Sequence, residues 1–247
     1  MDRVVDASEE LKARAAMADA LARWDEAVDS DVVAVVSWSF LDAAYEHGGS
    51  AVSAVTADAV REMLERLASP DYRWRAEALV SLWCFGSAVG VWRDMAMRSG
   101  SPGHQVMAAW EDRVEEQLAQ GVTRFRELLG DEDPEVRSVA ALALSCSSTD
   151  AGADFELLRD RFGSEPVNLA KACMGEAVAI LGVRHVGLGP RLERFAAETM
   201  RTETDLVRYR TAEGLRHRSS PAWSDRAAEW EKNANVGDLE TKWLSEA

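Results

Sequence analysis

Apolar residues recur three and four positions apart through most of this chain, the spacing that lines one face of an α-helix. The clearest stretches are TADAVREMLERLA from Thr56, VTRFRELLG from Val122, DFELLRDRFG from Asp154 and GPRLERFAAETM from Gly189, each with a polar opposite face. Between them lie segments rich in small residues, such as RAEALVSL from Arg75 and VRSVAALAL from Val136. Small residues three and four apart let neighbouring helices approach closely, so these segments are expected to be packed on more than one side. Residues 8–28 and 30–46 predict an introductory helical pair that ends at the break EHGGSAVS. From Val106 an apolar stripe runs through Trp110, Val114, Leu118, Val122, Phe125 and Leu129 with only Gly121 interrupting. It fits one long helix or two joined near Arg113, and the unbroken stripe favours one. The tail predicts an amphipathic helix around Arg226–Lys232 and a short last one around Leu239–Ser245.

The pattern repeats. Pro70, Pro102, Pro134 and Pro166 stand 32 residues apart, preceded by Ser69, Ser101, Asp133 and Glu165. A capping side chain followed by proline at the first helical position is a physical helix start, because the cap accepts orphan N–H bonds and proline lacks only an N–H that would be unpaired there. Four helices are therefore expected to begin at these prolines. After Pro70 and Pro134 the copies align without gaps: Tyr72 with Val136, Arg73 with Arg137, Ala76 with Ala140, Val80 with Leu144. Pro102 opens a weaker copy with Gln105 at the arginine position, the fourth copy slips by about two residues, and LVRYRTAEGL from Leu206 forms a fifth without proline. Each unit reads as a helical hairpin, and hairpins that cannot bury their faces alone form a continuous core by stacking.

LLGDEDPEVRSVAALAL, from Leu128, resembles a HEAT-type repeat of the short bacterial kind that includes phycobilin-lyase-like repeats. The likeness is best over residues 56–85 and 115–146 and moderate to 218. Tetratricopeptide and ankyrin repeats have closer periods, but their signatures are absent. The resemblance implies an all-α fold, a right-handed α-solenoid of stacked hairpins in one domain over 1–247. Within it, 1–50 is the N-terminal helical cap, 51–218 the repeats and 219–247 the C-terminal cap, where Trp223, Trp230 and Trp243 would cover the exposed end.

Charge narrows the function classes. With 43 acidic and 28 basic residues the net charge is −15, so the average surface repels phosphate backbones and anionic membranes and favours a basic protein partner. Cys84, Cys146 and Cys173 lie far apart without metal-type spacing, which suits buried thiols in a reducing compartment. The first residues lack a secretory pattern and the longest apolar run is too short to span a bilayer, so the expected location is cytoplasmic.

No catalytic, cofactor or metal signature stands out. His47, His104, His185 and His217 are scattered without ligand spacing, and GVRHVGLGP follows a helix rather than the strand a phosphate loop requires. Charge-dense WEDRVEE reads as a solvated helix face. Arg73, Arg137 and Arg208 are expected to tie their helices to Asp71, Asp133 and Asp205, as acid–arginine pairs at helical spacing do.

One position beyond that arginine stand Trp74, Val106, Ser138 and Tyr209. By resemblance, the second helix of each hairpin lines a concave face where solenoids hold ligands, and an aromatic there would anchor a partner or else wedge between helices. The candidate partner-binding residues are Trp74, Ser138, Tyr209, Glu213 and Arg216. The leading expectation is a non-enzymatic protein-interaction scaffold or adaptor, including an inhibitor or immunity-type binder of a basic partner. The alternatives are a HEAT-like DNA alkylpurine glycosylase, imitated by Trp110 and Asp112 but opposed by the acidic charge, and bilin-lyase-like ligand handling.

Overall fold

A computed structural model of the chain describes residues 7–46, 51–216 and 225. The expected tail helices, the 219–247 cap with Trp223, Trp230 and Trp243, and His47 and His217 lie outside the described residues. The fold is all-α apart from one short ladder, and the chain divides into two compact units, Met1–Arg124 and Phe125–Ala247.

The first unit opens with α1 (Ala7–Asp25) packed on α2 (Ser30–Ala44), the introductory pair read from the apolar spacing. Asp29 starts α2 by accepting a hydrogen bond from the Val32 N–H at 2.9 Å. β1 (Tyr45–Glu46) and β2 (Ala51–Val52) then form a minimal antiparallel ladder that the helical reading did not foresee. It is held where α2 ends: Ser53 Oγ donates to the Ala44 carbonyl at 2.8 Å, and Trp92 Nε1 donates to the Val52 carbonyl at 2.7 Å. α3 (Thr56–Leu67) packs on α4 (Arg75–Ala88), and the core between the helices is aromatic. Phe40 meets Trp24 edge-on at 5.6 Å and Phe85 at 5.9 Å.

α5 (Val91–Ser99) is bracketed by Gly90 at φ 104° and Gly100 at φ 62°, left-handed conformations in which a side chain would be strained. α6 is a single helix, Pro102–Leu128, which resolves the choice along the stripe from Val106 in favour of one element. The two helices are joined through Glu111, whose fully buried carboxylate accepts from the N–H groups of Trp92 at 2.9 Å and Arg93 at 3.2 Å. Glu111 thus satisfies two orphan donors at the start of α5 from a neighbouring helix.

The second unit holds α7 (Pro134–Ser147), α8 (Ala151–Ser164), α9 (Asn168–Arg184), α10 (Gly189–Thr202) and α11 (Asp205–Arg216). α9 packs against each of the other four, which is why Ala172–Gly182 is buried throughout and the helix is apolar on every side. α7 and α11 both lie against it. α8 and α10 also pack on α9 and meet each other through Phe155, Phe162 and Phe195, with the last two rings 5.0 Å apart. The α9–α11 approach is close enough to require glycine. A Cβ on Gly214 would stand 2.5 Å from the Glu176 carbonyl oxygen, and one on Gly175 would stand 2.5 Å from Thr211 Oγ1. Among the described residues no single helix is long and apolar enough to cross a membrane.

The proline ruler holds at two of its four marks. Pro102 and Pro134 begin helices, and Asp133 caps α7 by accepting from the Glu135 N–H at 2.9 Å. At the other two marks the helix begins later, at Arg75 and Asn168. Ser69 is drawn into a turn in which the Tyr72 N–H donates to its carbonyl at 3.3 Å, with Pro70 at the second turn position. The Glu165 carboxylate is occupied by Arg137 and by the Val167 N–H, so it does not cap a helix at Pro166.

Candidate protein-docking face

The candidate face is built on α7, α9 and α11 of the second unit. α11 carries Tyr209, Glu213 and Arg216 at i, i+4 and i+7, hence on one side of the helix. All three are half-buried, and Glu213 and Arg216 pair with each other at 2.7 Å. Ser138, on α7, is buried and turns its hydroxyl back to donate to the Pro134 carbonyl at 2.7 Å. Trp74 belongs to the first unit. It precedes α4, is 8% exposed and carries the Arg73 guanidinium over its ring at 4.4 Å. Trp74 and Ser138 therefore offer a partner little side-chain surface, whereas the α11 trio offers more. Val106, at the same repeat position, is exposed on α6.

Beneath the α11 trio lies a polar cluster that the repeat pattern did not single out. The buried Glu176 on α9 and the Arg210 guanidinium on α11 form an ion contact at 2.5 Å, yet Glu176 Oε2 accepts no hydrogen bond. Burial pushes the Glu176 carboxyl up to about 7, against the pull of Arg210 and with a further push from Glu213. Burial likewise pushes the neighbouring Cys173 thiol up to about 11, against the pull of the Arg210 charge. This thiol is protonated at neutral pH and is a poor nucleophile. One signal for the cluster was present in the sequence: Glu176 is the only acid in the apolar run ACMGEAVAIL, and a carboxylate there needs a cation from a neighbouring helix.

The arginine row is structural, with partners that differ from those expected. Arg208 pairs with Asp205 at 3.3 Å, as its spacing implies. Arg137 instead grips Glu165 with Nε at 2.8 Å and Nη2 at 2.6 Å, and donates to the carbonyls of Asp131 at 2.8 Å and Glu132 at 3.0 Å. That arrangement stitches the start of α7 to the connection before α9 and draws Glu165 below the usual carboxylate range, against the upward push of its burial. Asp133 is committed to capping, and no ion pair joins Arg73 to Asp71 among the described residues.

The remaining sequence candidates have structural surroundings. Trp110 is buried, and the exposed Asp112 accepts from Arg93 at 2.6 Å, so the two do not present a shared face. His104 stacks on Trp92 and hydrogen-bonds Ser99 Oγ at 2.7 Å. GVRHVGLGP runs from the end of α9 through a single 3-10 turn, Val186–Leu188, into α10. Among the described residues no group of three His, Cys, Asp or Glu side chains could hold a metal ion. No known protein family, curated protein or solved structure matches this chain.

Proposed function

We propose that this chain is a non-enzymatic protein-interaction module, a HEAT-like right-handed solenoid whose inner helices dock a partner with a basic surface. The observation that carries the reading is the placement of α9 between α7 and α11, with Tyr209, Glu213 and Arg216 emerging along one side of α11. A half-buried tyrosine flanked by charged side chains has the composition of an interface anchor with a polar rim. The net charge of −15 supports a basic partner, because encounter is then electrostatically steered. A reducing, cytoplasmic setting belongs to the same proposal and rests on three thiols that form no disulfide.

The test is affinity isolation from native extract with the wild-type chain and with Tyr209→Ala. The proposal expects a stoichiometric basic protein that Tyr209→Ala loses and that elutes as salt is raised. Excision of alkylated bases by the purified chain, or a co-purifying small molecule with no stoichiometric protein, would defeat it.

A further inference from the structure

α2 is apolar on two sides. Val33, Val36, Phe40, Leu41 and Ala44 face the core, which accounts for one side. On the other side Val35 is 63% exposed, Trp38 67% and Val32 42%. With Asp31 and Asp42, which are also exposed, they lie within about 60° of Val35 at about 100° per residue. The outer row thus reads Asp31, Val35, Trp38, Asp42, at spacings of four, three and four residues. It is an apolar centre with a carboxylate at each end, the two roughly 16 Å apart along the axis. A contiguous apolar row left open to solvent and rimmed by charge has the make-up of an interaction surface rather than of an ordinary solvated helix face.

Charge identifies the occupant. From Trp24 to Val60 the chain contains seven acidic residues and no lysine or arginine. Three of the seven are already engaged: Asp25 with Arg66, Asp58 with Arg14, and Asp29 as the cap of α2. Asp31 and Asp42 have no ion pair among the described residues. A second copy of this chain is a poor fit, because the two-fold pairing that sets Val35 against Trp38 also sets Asp31 against Asp42 and opposes like charges. An anionic membrane is repelled by the same carboxylates.

We propose that the outer face of α2 is a second docking surface, separate from the α11 face, and that it takes a basic amphipathic helix of a partner protein. The helix would place lysine or arginine on Asp31 and Asp42 and apolar side chains on Val35 and Trp38. Because the spacing reads the same in both directions, either orientation of the partner helix meets it.

The test uses the full chain and a labelled helical peptide carrying Arg, Leu, Leu and Arg at the same four, three and four spacing, with a twin in which both arginines are glutamate. The arginine peptide binds the wild-type chain and the glutamate twin does not. Trp38→Ala, and separately Asp31→Lys with Asp42→Lys, each weaken binding about tenfold or more. Tyr209→Ala leaves it unchanged, so failure here is distinguishable from failure of the α11 reading. Equal binding of the two peptides, or affinity indifferent to these variants, overturns the proposal. Two further outcomes also overturn it, by naming another occupant. One is a dimer in sedimentation that Val35→Glu dissolves, and the other is a Val35→Cys chain that resists a thiol reagent at every protein concentration, which means the chain covers its own α2 face.

Discussion

Glu176 is the residue whose environment sets the most specific expectation. Its carboxyl is raised to about 7 in the folded chain from 4.5. The folded state therefore holds this proton where the unfolded chain has released it. The stabilisation is complete below about pH 4.5 and is lost as pH rises through about 7. Thermal melts of the wild type should show a falling melting temperature across that window, and Glu176→Gln should flatten the slope. Glu165 has the opposite sign: Arg137 holds its pKa down, so its contribution is present at neutral pH and disappears on acidification. Arg137→Ala should cost about 2–3 kcal/mol at neutral pH, because it strands the nearly buried Glu165 and two carbonyls. Chemical denaturation of the variant checks this. These two acids also mark how far residue chemistry is legible in a sequence. Arg137 announces itself through repeat position, but its partner Glu165 is 28 residues away and is assigned only when α9 docks.

At the scale of elements, the close seam between α9 and α11 predicts a contrast between two glycines. Gly214→Ala would push a methyl against the backbone oxygen of Glu176, which cannot swing aside, and should destabilise by about 2–3 kcal/mol. Gly163→Ala, in α8 with open space around it, should be neutral or stabilising by up to about 1 kcal/mol. Equal effects of the two in denaturant melts would contradict the seam. Small-residue spacing made this kind of contact legible, since GEAVAILG and TAEGL leave room for a neighbouring backbone. Helix starts were less legible. Asp133 caps its own helix, whereas Glu165 is taken by Arg137 and Ser69 by a turn, so identical-looking proline marks end differently.

For the whole molecule the governing quantity is charge. At pI near 4.8 the chain should be least soluble close to pH 4.8, where self-repulsion vanishes, and turbidity against pH measures it. Association with a basic partner should slow steeply as salt rises, because steering between net charges is screened over about 10 Å at 0.1 M.

Periodic apolar spacing was enough to establish that the chain is built of helices and to place most of them, because backbone hydrogen bonding in a helix is local and its burial pattern is written every three to four residues; along 102–128 it favoured one helix over two, and the structure made the choice. Tertiary structure decided what spacing cannot encode. It buried Trp74 and left Trp38 exposed, paired Glu176 with Arg210, and used Glu111 to start a helix it does not belong to. Each of those outcomes depends on which distant surface arrives beside a residue, and in an all-α protein that is fixed only when the helices pack.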